Sequence, residues 1–183
     1  MFVHELTTEN PDVRLIKPDV ERDAPASAAW LESEQGRQTL HLMGVPDSEN
    51  KPSTLLKEQE RVRDFLSRKD QCFWMIELRK KVVGAIWTDL VPTEHLGAPA
   101  IHLMIGDPSA RSQGAGTAAF AAVVRWLSSD PQKNPKIYSR HLVWNEAAAA
   151  LPLKAGFIND GPSYRDEHGL EWQNVAYHVE VAR

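Results

Sequence analysis

The sequence predicts one mixed α+β domain, and three observations predict it. The chain has 183 residues, 42% of them hydrophobic and 25% charged, which is enough for one core and short for two when domains run to about 100–150 residues. Apolar spacing switches repeatedly between the three-to-four residue repeat of helices and the alternation of strands. No internal repeat, low-complexity tract or linker interrupts residues 1–183, so they read as a single domain.

A first strand is expected within residues 11–24, around Val13, Leu15 and Ile16, followed by a helix from Ala26 to Gln38. Gly44 to Ser53, with Asp47, Ser48, Asn50 and two prolines, has the chemistry of a loop. A second helix starts at Ser53 or Thr54 and should bury Leu55, Val62 and Leu66, with Phe65 beside them, while Lys57, Glu58, Arg61 and Arg68 stay wet. From Cys72 the period becomes two. Cys72, Trp74, Ile76 and Leu78 share a face, and Arg79-Lys80-Lys81 turns the chain into a strand from Val82 to Thr88.

A loop from Pro92 to Pro99 leads to the alternation of Ile101, Leu103 and Ile105 with His102, Met104 and Gly106, a strand that ends near Asp107-Pro108. Phe120, Val123, Val124 and Leu127 then mark a helix, and Ile137 to Val143 a strand. Asn145 caps a short helix that Gly156 stops. Two strands close the chain, with a turn at His168-Gly169 and a last strand from Trp172 to Val181.

Charge and cysteine usage narrow the function classes. The formal net charge is −4, and no lysine and arginine stripe is present for nucleic acid to bind. A mildly acidic surface suits a cationic ligand such as an amine. Cys72 is the only cysteine, which precludes an internal disulfide and a cysteine zinc site. Met1 to Asn10 shows no signal-peptide pattern, and nowhere do about 18 apolar residues run together. The expectation is a cytoplasmic protein with no membrane and no nucleic-acid partner.

The most informative segment is Arg111-Ser112-Gln113-Gly114-Ala115-Gly116. Gly114 and Gly116 lie between a strand and a helix start, where backbone N–H groups and the positive end of the helix dipole can receive a diphosphate. Thr117 adds a hydroxyl. A tight turn would need no more than the glycines, so context decides. No lysine follows Gly116, which removes a P-loop, and position 119 is Ala119, which removes the G-x-G-x-x-G dinucleotide fingerprint.

Asp107 to Gly116 resembles the pyrophosphate motif of the GNAT superfamily of acetyltransferases, an arginine or glutamine followed by x-x-G-x-G or x-x-G-x-A. Downstream, Asn145, Ala148, Lys154, Gly156 and Phe157 are similar in register to that family's second signature. The likeness spans roughly residues 72 to 181 and is nearest to the ribosomal-protein and aminoglycoside branch. It implies a twisted, mostly antiparallel mixed sheet of about seven strands with helices on both faces. Two central strands would splay apart after a bulge.

It also implies acetyl-coenzyme A as acyl donor, with no metal. The thioester would meet the strand Leu103, Met104, Ile105 and Gly106. The diphosphate would meet Arg111 to Thr117, and Asn145 and Lys154 would add further contacts. Homodimers are common in the family, and two copies would then meet through the C-terminal strands.

Acetyl transfer to an amine requires a base, a polarised carbonyl and a proton for the departing thiolate. The family's proton-donating tyrosine position is Pro152, which leaves Tyr164, Tyr138 or water as donors and predicts an early end or a kink in the helix. His102 is the expected base, since an imidazole titrates near about 6.5 and aligned strands of related acyltransferases resemble this one with an acid or a histidine at that place; a structural role in the sheet is the alternative. Trp30, Trp87 and Trp144 are candidates to line the acceptor cleft, with core packing as the alternative, and Asp89 and Glu94 are candidates to attract a cationic amine, with a solvated loop as the alternative. The expected reaction is acetyl transfer to a primary amine of a small molecule or protein N-terminus by direct attack. Acylation of a hydroxylamine, polyamine or aminoglycoside is the alternative, and a non-catalytic acyl-coenzyme A module is the rival from another class.

Overall fold

In the computed structural model, which describes residues 5–180, the alternating segments pair into one sheet. Its strands are β1 (Leu6–Thr7), β2 (Val13–Ile16), β3 (Gln71–Leu78), β4 (Lys81–Asp89), β5 (Ala100–Ile105), β6 (Lys136–Leu142), β7 (Ile158–Asn159), β8 (Tyr164–Arg165) and β9 (Glu171–His178). They lie in the order β1-β2-β3-β4-β5-β6-β9-β7, with β8 also on β9. That is nine strands among the described residues, more than the expected seven, because β1, β7 and β8 are two-residue pieces too short to show a period. Every pairing is antiparallel except β5 with β6. The expected last strand reached Val181, which lies outside the described residues.

The helices are α1 (Val20–Leu31), α2 (Glu34–Leu42), α3 (Leu55–Ser67), α4 (Ala115–Ser128) and α5 (Glu146–Lys154). The single helix expected over Ala26 to Gln38 is thus two. Asp19 caps the first by accepting from the Arg22 N–H, and Ser33 interrupts the run and caps the second by accepting from the Gly36 N–H. The second cap is a serine within a polar stretch, which periodicity does not single out.

Alternation sends the two faces of the sheet into two cores. Cys72, Trp74, Ile76, Ile86 and Ile101 pack with Phe120, Val123 and Leu127 of α4. On the other face Phe73, Met75, Val82 and Ala85 meet Trp30 and Leu31 of α1, with Phe65 of α3 alongside. Cys72 is fully buried, and burial pushes its thiol up from the ordinary range, so it is an inert core residue.

The face that α3 buries differs from expectation. Leu55 and Leu66 are 47% and 45% exposed, whereas Val62 and Glu58 are buried. Thr54 is the cap. The Glu58 carboxylate accepts from the Ser53 hydroxyl and pairs with Arg61 at 2.9 Å. Burial of a carboxylate is tolerated when both kinds of partner are supplied, and hydrophobic spacing cannot anticipate that.

Pro152 does not end α5 where it stands: the helix runs two residues further, to Lys154, with Pro152 buried. The proline stands in the final turn, where the chain closes instead through the Ala155 and Phe157 N–H groups on the Pro152 carbonyl, both at 3.0 Å. Gly156, at φ +86°, makes the left-handed stop.

Two features fix the approach to the loop after β5. Gly36 of α2 lies against the end of α1, where a Cβ would come within 2.4 Å of the Trp30 carbonyl oxygen and 2.6 Å of the Leu31 Cα. Asp107 caps the turn at Pro108–Ala110 by accepting from the Ser109 N–H at 2.9 Å, and it pairs with Lys81 at 2.6 Å. The Lys81 contact holds the Asp107 carboxyl below the ordinary carboxylate range against the opposing effect of burial, and the Ser109 bonds add to it.

Gly36→Ala should therefore destabilise the protein by about 1–3 kcal/mol although alanine is the better helix former. Urea denaturation checks this, and a neutral or stabilising result would contradict the contact. For Asp107 the depressed carboxyl contributes stability that is full above the unfolded value of about 3.9 and is lost as pH falls through the folded value. The stability gap between wild type and Asp107→Asn should be wide at about pH 7 and narrow at about pH 3. A gap independent of pH would remove the role of the charge.

Candidate functional site

The site begins where the parallel pair β5 and β6 stops pairing. Only Ala100 with Tyr138 and Ile101 with Ser139 are in register. At the crotch the buried Ser139 hydroxyl donates to the Ile101 carbonyl at 2.8 Å. Beyond it His102 to Ile105 keep their partners on β4 but have none on β6. The expected splay is present, but the bulge is not in β5: the register shift lies between β3 and β4 opposite Ile76 and Glu77, and β4 and β5 stay in step throughout.

The opened strands border a cleft of about 490 Å³. Leu103 and Ile105 point to the α4 side, where they approach the Gly116 position. His102 and Met104 point to the other. The far end of the cleft is the first turn of α4. Gly114, the residue before that helix, takes φ +81°, and among the described residues no side chain caps the helix. The N–H groups of the first turn cannot bond within the helix, so they face the cleft lined by Gly114, Ala115, Gly116 and Thr117.

An alanine Cβ at Gly114 would meet open space, with only Asn10 at 4.0 Å, so the glycine answers to backbone conformation. Ser112, at φ +61°, is strained in the same turn. Arg111 donates to the Thr39 hydroxyl at 2.7 Å. Gln113 donates to the Ser109 carbonyl at 2.6 Å and is not among the cleft-lining residues. An uncapped helix start beside an arginine fits an anionic ligand such as a diphosphate.

His102 faces a designed-looking pair of contacts: its ring stacks on its cross-strand partner Trp87 at 5.4 Å, and its Nε2 lies 2.9 Å from Asp89 Oδ2. Trp87 stacks in turn on Phe73, and Phe73 on Phe65. Asp89 also accepts from the Gln71 side-chain amide. Burial acts to raise the Asp89 carboxyl, but the hydrogen bond and charge of His102, the Gln71 bond and the charge of Arg68 outweigh it and hold it below the ordinary range. A carboxylate on Nε2 requires that nitrogen to carry the proton. Nδ1 is then the nitrogen left with an available lone pair.

Of the residues singled out in the sequence, His102, Leu103, Met104, Ile105, Arg111, Ser112, Gly114, Ala115, Gly116, Thr117 and Asn145 line the cleft. Asn145 is already engaged, accepting from the Ala148 N–H at 3.1 Å and donating to the Leu42 carbonyl at 3.1 Å. Gly106 lies under the Trp30 ring, where a Cβ would come within 2.2 Å; Trp30 itself is a core residue. Asp89 and Trp87 act on His102 and are not cleft lining. Glu94 and Lys154 are exposed away from it. Trp144 stacks on His41 at 5.0 Å, and Tyr138 packs over Gly97.

Sequence reasoning missed the contribution of α2 and the β6 side chains. Thr39, Leu42 and Met43 line the cleft, as do Ser139, Arg140, His141 and Trp172. Alternation along β6 marks which of its residues share a face, and that the strand borders the gap is what the family resemblance implies, with the pantetheine running between Leu103 to Gly106 and Ile137 to Val143. Among the described residues, no group of three or more His, Cys, Asp or Glu stands where it could hold a metal ion, and no helix is long and apolar enough to cross a membrane.

Comparisons with known proteins agree with this architecture. A ribosomal L7/L12 alpha-N-protein acetyltransferase in complex with coenzyme A superposes with a TM-score of 0.77 at 14% identity, over 96% of this chain and 98% of that one. A microcin C7 self-immunity acetyltransferase in complex with acetyl-CoA and AMP gives 0.73 at 13%, over 93% and 94%. An aminoglycoside acetyltransferase, AAC(6')-Ib, in complex with coenzyme A gives 0.66 at 19%, over 91% and 93%. No curated protein matches in sequence. The profile of the acetyltransferase (GNAT) domain matches residues 12–158, and the chain belongs to the GNAT family of acetyltransferases.

Proposed function

We propose that this acyltransferase moves an acetyl group from acetyl-coenzyme A to a primary amine by direct attack in a ternary complex, with His102 as the base. The observation that carries the reading is the His102 imidazole, fixed by Asp89 at the point where β5 leaves β6, in a cleft that ends on the uncapped start of α4.

The residues divide the work by position. The N–H groups of Gly114 to Thr117, with Arg111 beside them, hold the diphosphate. The open edge of β5 from Leu103 to Ile105 offers backbone groups to the pantetheine and the thioester carbonyl. His102 accepts the amine proton on Nδ1 as the nitrogen bonds to the acetyl carbon. Asp89 holds Nε2–H and balances the charge that the imidazole gains.

Pro152 brings no proton donor to the departing thiolate. Tyr164 accepts from Arg140 at 3.0 Å and does not line the cleft, so water is the simplest donor. The non-catalytic alternative is disfavoured by the oriented base: a module that only bound the coenzyme would have no use for an ionised carboxylate on a cleft histidine.

Release of free thiol from acetyl-coenzyme A, measured over a panel of amines, tests the reading. His102→Ala should lower kcat/KM by about 10²–10⁴-fold with the KM for acetyl-coenzyme A unchanged; a change under about threefold would sink the base assignment. Asp89→Asn should lower kcat by about 10-fold or more while leaving the same KM intact. A purely structural aspartate would instead alter melting and spare kcat. Gly114→Val should weaken acetyl-coenzyme A binding without abolishing the fold, since only the turn before α4 is strained.

A further inference from the structure

The charge of the cleft is opposite to that of the chain. The protein carries −4 overall, yet among the described residues the charged side chains that line the cleft are two arginines, Arg111 and Arg140, with no aspartate or glutamate. Arg111 stands at the diphosphate end, next to Gly114. Arg140 does not. It follows Ser139, the last residue of β6 paired to β5, just as His102 follows Ile101, the last paired residue of β5. Residues paired across a parallel ladder share a face, so the two next residues share the opposite one. His102 and Arg140 therefore share the face away from α4, each the first unpaired residue on its arm of the splay.

Arg140 is also built in place. Its guanidinium lies 4.2 Å from the centre of the Trp172 ring, and one N–H donates to the Tyr164 hydroxyl at 3.0 Å. Trp172 is fixed in turn, donating to Asp166 at 2.9 Å and packing under Gly44. Arginines elsewhere, such as Arg14, Arg22, Arg68 and Arg79, stand on carboxylates. Among the described residues no carboxylate pairs with Arg140. A held guanidinium with most of its five donors uncommitted, facing a cleft without acids, is a receptor for an anion.

We propose that Arg140 determines acceptor specificity, and that the acceptor is a small primary amine bearing an anionic group, a carboxylate or a phosphate, close to the nucleophilic nitrogen. This rests on the amine-acetylating reading above. The amine is at His102 and the anion at Arg140, so both belong to one small molecule. A polycation such as a polyamine or aminoglycoside would meet the wrong sign. The acids that the sequence offered for binding a cation do not supply it: Asp89 is taken by His102 and Gln71, and Glu94 lies outside the cleft.

The test measures thiol release from acetyl-coenzyme A with matched acceptors: α-amino acids, their amides, the corresponding decarboxylated amines, aminoalkyl phosphates, spermidine and an aminoglycoside. The expected result is that anionic members exceed their neutral partners by about 10–100-fold in kcat/KM, and the better of carboxylate and phosphate identifies the anion. Arg140→Met should abolish that preference by raising acceptor KM while leaving the KM for acetyl-coenzyme A unchanged, and Arg140→Lys should restore part of it. Amides, spermidine or the aminoglycoside matching or exceeding the anionic members in the wild-type protein overturn the proposal while leaving the acyltransferase reading in place. An unchanged acid-to-amide ratio in a folded Arg140→Met variant also overturns it. Thiol release from no acceptor, with acetyl-coenzyme A bound, overturns the amine reading beneath it.

Discussion

The rest of the site depends on one constraint, the loss of pairing between β5 and β6 after Ile101 and Ser139. A strand edge inside a sheet is expensive to leave open, because its N–H and C=O groups need partners. The fold spends only two residues on the parallel contact, and Ser139 takes the Ile101 carbonyl at its end. Everything beyond is an edge without a ladder, turned toward a cavity. An extended ligand with amide groups along its length can complete it. The diverging strands also set the geometry of both faces, since alternation sends Leu103 and Ile105 toward α4 and His102 and Met104 away from it.

Because the gap would otherwise be a weak seam, it is bridged. Thr39 of α2 accepts from Arg111, which follows β5, and the Leu42 carbonyl accepts from Asn145, which follows β6. His41 stacks on Trp144, and Gly44 makes room for Trp172. The C-terminal half of α2 is thus tied to both arms of the splay through contacts that span from 72 to 103 residues of sequence. These ties also line the cavity, so the element that stabilises the opening is one of its walls.

How much of this was legible follows from the range of each contact. The strand and helix pattern from Cys72 to Gly156 is written in local period, and the loop from Arg111 to Gly116 in two glycines between a strand and a helix start. His102 was legible too, because alternation alone puts it opposite Ile101, Leu103 and Ile105. Its partner was half legible: Asp89 was read as an acceptor contact, whereas the β4 and β5 register brings Trp87 opposite His102 and Asp89 within reach of the ring. Glu58 inverted the reading of α3, since only the meeting of Ser53 and Arg61 makes a buried carboxylate acceptable there. Arg140 carried no local signal. Its significance comes from Tyr164 and Trp172, which flank the turn at His168-Gly169, and from a neighbour on another strand.

Charge decides what the two faces of the cleft can do. Bulk composition pointed to a cationic partner, but a field summed over the whole surface says little about a half-enclosed site, where nearby fixed charges dominate. Asp89 shows the distinction. Its carboxylate is matched against His102, so under the proposed base role a proton on the imidazole would give a neutral pair and leave no net positive charge to repel the next step. Among the described residues Arg140 has no such counter-ion. On the proposed reading, the balanced pair is suited to moving a proton and the unbalanced guanidinium to holding an anion, and the two stand on opposite arms of the splay, just beyond its last paired residues.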